Sequence, residues 1–474
     1  MADSTVSSAT ERTPIKSAVY GAKPAEAENG PRPADGITGL YEGNIFEASP
    51  ENRRQLGVFS ATLLIFNRVI GTGIFATPGT ILSLSGSVGL SLFMWVIGTF
   101  IAMAGTAVYM EWGTAIPKNG GEKNYLEYVY KKPKFLATAM FAAYAFLLGW
   151  AASNSVVFGQ YILNAAEIEV DRWNQRGIGL ACLTAAFLVH SIALKWGIRL
   201  QNLLGIIKLI IILFIVVSGW VALAGHTKAE TPHNFRNAFE GTKGSGYSIV
   251  MALYNVIWSF IGYSNANYAL SETKNPVRTL KIAAPLAIGT VGILYMFVNI
   301  AYFAAVSKEE MLESGTVVAA VFFGNMFGKQ AEKVMSVFVA LSAFGNVLSV
   351  LFSQGRGGLI YIYLNRSTKY PNWNPGIRAT LPVTVFFLLS NVYLVIAPYV
   401  PPDAGQNVYE QLPYYLHCVV ALGLFAFGAL YYVVWAVLLP RWGGYVLVKE
   451  SVVDADGWSR SVFTRLPLTP AGRP

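Results

Sequence analysis

Long apolar runs alternate with short polar stretches along most of this chain. They fall at about 58–82, 88–112, 136–163, 178–194, 200–224, 246–270, 281–305, 331–354, 377–398 and 412–439. Each is near or above the roughly 20 residues with which an α-helix crosses a hydrocarbon core of about 30 Å, the 178–194 run being the shortest. The pattern predicts an all-α polytopic membrane protein with ten spans.

Composition agrees. Hydrophobic residues make up 54% of the 474 and charged residues 13%, where a soluble domain of this size carries about twice that share of charge. The first 50 or so residues differ in kind, being rich in Ser, Ala, Glu, Pro and Gly. That composition predicts a disordered N-terminal tail over 1–55, a membrane domain over 56–440 and a C-terminal tail over 441–474. No apolar stretch follows Met1, so the first span is expected to act as its own insertion signal. Cys182 and Cys418 both fall inside apolar runs and imply no disulfide framework.

The net charge of +9 changes the picture only through its placement. The basic residues do not cluster as a nucleic-acid binder's would. Lys118, Lys123, Lys131, Lys132 and Lys134 lie between spans two and three. Lys195 and Arg199 lie between four and five, and Lys274, Arg278 and Lys281 between six and seven. The alternate loops carry Glu167, Glu169 and Asp171, then Glu309, Glu310 and Glu313. Positive residues mark the inner side, so both termini are expected in the cytoplasm.

Two spans carry interruptions. The first reads Val69-Ile70-Gly71-Thr72-Gly73-Ile74-Phe75, with Pro78 close behind. The sixth reads Trp258-Ser259-Phe260-Ile261-Gly262-Tyr263-Ser264. Glycines weaken a helix and free backbone N–H and C=O groups, which are costly in lipid unless something satisfies them. A bound zwitterion satisfies both kinds, its carboxylate on freed N–H groups and its ammonium on freed carbonyls. Close helix packing is the plainer use of such glycines. A second break five spans after the first favours the binding reading, because transporters built from inverted five-span repeats place their broken helices at that interval.

Few ionisable side chains lie inside the runs. Lys208, about two turns into span five, reads either as an ammonium docked near the first break and cycling its proton, or as a lysine that snorkels to the interface. Arg68 and Glu111 read as gate residues or, more plainly, as interfacial charges. His190, His226, His233 and His417 are scattered without metal-ligand spacing. No phosphate-binding loop, nucleophile elbow or pair of catalytic carboxylates is present, so no enzyme activity, metal or cofactor is expected. Transport by such a chain has to run on an ion gradient or on exchange.

The stretch from Asn67 through Ile-Gly-Thr-Gly-Ile-Phe to Pro78 resembles the first helix of the amino acid–polyamine–organocation superfamily. So do Trp258-Ser-Phe-Ile-Gly262, closed by Glu272-Thr-Lys-Asn-Pro-Val-Arg278, and the loop Pro117-Lys-Asn-Gly-Gly-Glu-Lys-Asn-Tyr125. Within it the chain, including Leu439-Pro-Arg-Trp-Gly-Gly-Tyr445, resembles the fungal high-affinity methionine permeases, relatives of the L-type amino acid transporters. The resemblance implies a LeuT-type fold of two inverted five-helix repeats with helices one and six broken, and proton-coupled uptake of methionine or another neutral L-amino acid across the plasma membrane. It implies a substrate carboxylate at Gly71, Thr72 and Gly73 and an ammonium at the carbonyls of Val69, Ile70, Trp258 and Ile261. Ser259, Phe260 and Gly262 belong to the same predicted substrate segment. Trp258 is implied as an aromatic gate, and Lys208 as the proton-coupling residue that stands where sodium sits in sodium-coupled relatives. Mammalian relatives are linked to a glycoprotein subunit through a cysteine between spans three and four. The 164–177 loop has none, so no such partner is expected.

The resemblance also implies twelve spans, two more than the ten runs. The first repeat, about 58–224, is some 50 residues longer than the material from 246 to Leu364, about the length of two spans. Ser353-Gln-Gly-Arg356 resembles the end of family span eight, and Gly357-Gly-Leu-Ile-Tyr-Ile-Tyr-Leu-Asn365 the end of span ten. Span nine and most of span ten are expected to be missing between them. A non-transporting nutrient sensor or an inactive truncated permease is the competing expectation.

Overall fold

A computed structural model describes residues 57–117, 120–147, 151–192, 194–268, 270, 273–347, 375–396, 413, 415–453 and 459–467. The expected N-terminal tail and the expected junction at 353–365 lie outside these residues.

Every apolar run contains helix. The first is built of α1 (Val58–Val69), α2 (Gly73–Ala76) and α3 (Pro78–Ser85), followed by α4 (Val88–Ala115). A short helix, α5 (Glu122–Val129), precedes α6 (Leu136–Leu147), α7 (Ala151–Ala165), α8 (Arg172–Ile192) and α9 (Leu194–Leu223). Then come α10 (Gly246–Ser259), α11 (Pro276–Ala305), the short α12 (Lys308–Glu313), α13 (Val318–Phe327) and α14 (Lys329–Val347). Two more apolar helices, α15 (Leu381–Ile396) and α16 (Leu416–Tyr432), lead to α17 (Leu439–Gly443). Among the described residues five helices are long and apolar enough to cross a membrane: Val58–Ala76, Val88–Ala115, Leu203–Leu223, Pro276–Ala305 and Val419–Gly443.

The helix ends follow local chemistry. Pro78 opens α3, where its missing N–H costs nothing, and Gly86 at φ +76° closes it in the left-handed conformation. The Ser87 side chain caps α4 and Ser245 caps α10, each accepting from a backbone amide three residues on. Ser307 and Glu310 form a reciprocal capping box on α12.

Lipid offers little hydrophobic drive between helices, so association rests on close packing at small residues. Gly219 of α9 lies directly against Ala301 of α11, and Gly428 of α16 against Met140 of α6, leaving no room for a side chain at either glycine. α11 packs on both α1 and α4, α10 on α3 and α4, and α7 on α14. The resulting core is aromatic near its middle. Trp95, Phe260 and Tyr295 meet with ring centroids 5.1–6.3 Å apart.

The C-terminal segment holds an antiparallel hairpin of β1 (Tyr445–Val453) and β2 (Ser459–Pro467), in register from Tyr445–Pro467 to Val453–Ser459. Phe463 of β2 packs edge-on to Phe135 and to Trp435, with centroids 5.2 and 5.1 Å away. Lys449 of β1 pairs with Glu127 at 2.6 Å, and Lys123 reaches the other carboxylate oxygen at 3.0 Å. Burial works to raise the Glu127 carboxyl. The Lys123 and Lys449 ammoniums and the Thr138 hydroxyl more than offset it, so Glu127 stays below the usual carboxylate range.

Candidate functional site

α1 ends because Ile70, at φ −75° and ψ 88°, turns the chain out of the helix. Three residues later α2 starts again at Gly73. Among the described residues, none accepts a hydrogen bond from the amides of Thr72, Gly73 and Ile74, as expected for the first turn of a helix. The carbonyls freed at the same place all find donors from other helices. The Lys208 ammonium of α9 donates to Ile70 O at 2.9 Å and, more loosely, to Asn67 O at 3.5 Å. The Ser342 hydroxyl of α14 donates to Gly71 O at 3.2 Å. The Tyr295 hydroxyl of α11 lies 3.0 Å from Val69 O.

The second interruption meets the first. α10 stops at Ser259, whose carbonyl lies 3.1 Å from the same Tyr295 hydroxyl. A phenol has one proton, so Tyr295 divides it between a carbonyl from each interruption. The Ser259 hydroxyl donates back to Asn255 O and sits 3.2 Å from the Thr77 hydroxyl. A Cβ placed on Gly73 would lie 2.5 Å from Ser259 Oγ and 2.6 Å from its Cα. The two segments touch there because Gly73 has no side chain. Gly262, at φ +124°, similarly lets the chain after α10 run against the backbone of Arg68.

A small cavity lies between the two segments, lined by Arg68, Val69, Gly71, Thr72, Gly73, Asn154, Trp258, Ser259 and Ile261. It thus brings together seven of the ten predicted substrate-segment residues. The other three face elsewhere. Ile70 is buried with its carbonyl on Lys208, Phe260 packs into the Trp95–Tyr295 cluster, and Gly262 backs onto Arg68. Lys208 is 1% exposed and points into the bundle rather than snorkelling to an interface. Arg68 and Glu111 are buried as well, not interfacial, and Glu111 accepts from Ala379 N at 2.7 Å.

Asn154 of α7 was not singled out by its sequence context. It is 7% exposed, and its side-chain oxygen accepts from the Thr72 hydroxyl at 2.6 Å. Its amide donors are thereby left beside the cavity, uncommitted to any described residue. Tyr295 and Ser342 also escaped the sequence pattern.

Beyond one end of the cavity, the loop of the third motif packs under the sixth span. A Cβ on Gly121, at φ +47°, would lie 2.8 Å from the Tyr268 ring, and the Tyr268 hydroxyl donates to buried Glu122. Asn267 donates to Tyr109 O at 2.7 Å, and Tyr125 stacks on Trp112. At the other end Glu167, between α7 and α8, pairs with Lys333 at 2.8 Å and Lys329 at 3.0 Å. Hydrogen bonds from these two ammoniums hold its carboxyl below the usual range.

Residues 56–358 match the family model described as amino acid permease. The chain is similar to the high-affinity methionine permease of Saccharomyces cerevisiae, with 49% identity over 86% of this chain and 84% of that one. It is 34% identical to the low-affinity methionine permease of the same yeast, over 64% of this chain and 56% of that one. Among solved structures it is similar to MHP1, a nucleobase-cation-symport-1 family transporter, at 13% identity and a TM-score of 0.45, over 84% of this chain and 95% of that one. The family match and the yeast relatives do settle descent: this chain belongs to the amino acid permeases, a family of multi-pass membrane transporters.

Proposed function

We propose that the chain is a secondary transporter that imports a neutral L-amino acid, methionine foremost, by proton symport with alternating access. The observation that carries this reading is one cavity bounded by both interrupted helices, with uncommitted amides on one wall and carbonyls on the other. An α-amino acid is the ligand that such a pair of walls suits. Its carboxylate sits at the open amides of Thr72 and Gly73, within reach of Asn154, and at that of Gly71, which otherwise donates to Val69 O at 2.9 Å. Its ammonium sits at the carbonyls of Val69, Ile70, Trp258 and Ile261, joining or displacing donors that already reach the first three. Trp258 closes over the substrate, and Lys208 carries the coupling proton. The interruptions belong to spans one and six of two inverted five-helix repeats, of which the second is short by two spans.

Methionine rests on the two yeast permeases, whose names state that substrate. The plasma membrane, cytoplasmic termini and the lack of a disulfide-linked glycoprotein subunit complete the proposal. The short second repeat keeps one alternative in play, a membrane sensor or truncated permease that binds without flux.

Uptake of labelled methionine by cells lacking their own permeases, with surface expression measured in parallel, tests the reading. Uptake that collapses with a protonophore is the expected result. A protein that reaches the surface and binds methionine without uptake belongs to the alternative.

A further inference from the structure

The polar segment after α9 crosses the ends of α9 and α11 and borders an open groove away from the interrupted helices. Its floor is apolar, made by Leu223 in the last turn of α9 and Ala304 in the last turn of α11. Its rim carries Thr231, His233, Phe235 and Arg236. The rim is held in place. The Asn234 amide donates to Phe303 O at 2.9 Å and Val306 O at 2.8 Å, taking two carbonyls that the end of α11 leaves open. Arg236 N donates to His233 O at 3.1 Å, which closes the turn between them.

Two features set this groove apart from an ordinary loop crevice. First, it sits where two of the long apolar helices end, the depth at which lipid headgroups lie. Directly below it the outer faces of both helices are exposed and apolar. Trp220 and Phe297 meet edge to face at 6.1 Å, with Val217, Val221 and Ile293 around them. Second, Arg236 and His233 are exposed, and neither side chain has a hydrogen bond or ion pair with any described residue. A guanidinium held over an apolar floor at headgroup depth suits a phosphodiester, which it can take with two parallel N–H bonds.

We infer that this groove is a phospholipid site: the phosphodiester is held by Arg236 and His233, and the acyl chains run down the Trp220–Phe297 face. Its occupant is a membrane lipid and not a free anion, because the apolar floor and the face below it would otherwise have no counterpart in the ligand.

Native mass spectrometry of the full-length protein, after detergent exchange and incubation with dioleoylphosphatidylcholine, tests this. The wild type should retain one lipid that the His233→Ala/Arg236→Ala double variant holds about tenfold less well. Arg236→Lys, which keeps the charge but not the fork, should fall between them. A galactosyl diacylglycerol, with the same chains and no phosphate, should not be retained, and excess inorganic phosphate should not displace the phospholipid. Equal retention by the double variant overturns the proposal, as does equal retention of the glycolipid. Displacement by inorganic phosphate would make this a simple anion site and overturns the lipid reading. Methionine uptake by the double variant should match the wild type, which also shows that the variant is folded.

Discussion

Replacing Gly73 by alanine tests whether the contact between the two interruptions matters for substrate. The added Cβ would meet Ser259 Cα at 2.6 Å, where ordinary contact is 3.4–4 Å. The segments therefore have to part by about 1 Å or strain in place. Overpacking of this kind costs about 1–3 kcal/mol, or about five- to 150-fold in apparent affinity when it falls on the substrate-bound form. Alanine also gains about 1 kcal/mol of helix propensity over glycine. Gly289→Ala in α11 isolates the contact, because a Cβ there meets open space and gains the same propensity. Ser259→Gly in the Gly73→Ala background should rescue only in part, since it removes Oγ and Cβ but leaves Cα. The assay is concentration-dependent uptake of labelled methionine, normalised to surface protein. Gly73→Ala with the affinity of Gly289→Ala would refute the placement of substrate between these segments.

Lys208→Ala should abolish protonophore-sensitive accumulation while the protein still reaches the surface; wild-type accumulation would remove the lysine from coupling. Tyr295→Phe strips the shared proton from Val69 O, which keeps Gly71 N, and from Ser259 O; the loss at Ser259 O should cost about 1–3 kcal/mol, the usual range for a buried acceptor left unpaired, read as a lower melting temperature in detergent. Asn154→Ala should weaken substrate binding about tenfold with expression unchanged, since it removes a donor beside the cavity; binding of labelled methionine to purified protein checks it. Glu127 titrates lower in the folded protein than when exposed, so its contribution is present above the ordinary carboxylate range and is lost as pH falls through the depressed value. The protection of the strand amides of 445–453 and 459–467 against hydrogen exchange, relative to an unfolded chain at the same pH, should therefore fall in acid, and Glu127→Gln should flatten that dependence.

What the sequence disclosed and what it hid divide along the range of the interactions. Gly71 and Gly73 announce their interruption locally, because two glycines two residues apart weaken any helix. The sixth-span interruption shows for the same reason at Gly262. Asn154 gives no such local sign. One asparagine in an apolar run is unremarkable until Thr72, 82 residues earlier, donates to it. Tyr295 and Ser342 are likewise ordinary members of apolar helices whose meaning lies in carbonyls more than 200 residues away. Lys208 could be read two ways because depth along a helix does not say which way a side chain turns. Its bond to Ile70 O decides that. The hairpin at 445–467 hid among polar and β-branched residues that equally suit a tail, since its docking depends on Phe135 and Glu127 in another loop.

The satisfied carbonyls bear on how a transporter of this kind can move. A helix broken in lipid leaves acceptors that cost free energy unless they are paired. Here Ile70, Gly71 and Val69 are paired from α9, α14 and α11 respectively. On the proposed function, an ammonium arriving at Val69 and Ile70 does not enter an unsatisfied site but joins or displaces donors already present. Tyr295 is the donor with the least to lose, because its single proton already serves Val69 and Ser259 in turn. Lys208 has the most, being a buried cation whose nearest partners are two carbonyls of the interruption. On that proposal the coupling proton and the substrate ammonium meet at the same interruption, since Lys208 holds Ile70 O. No long path between sites is then needed to link the two events, because a change at Ile70 O is felt at once by α1 and α9.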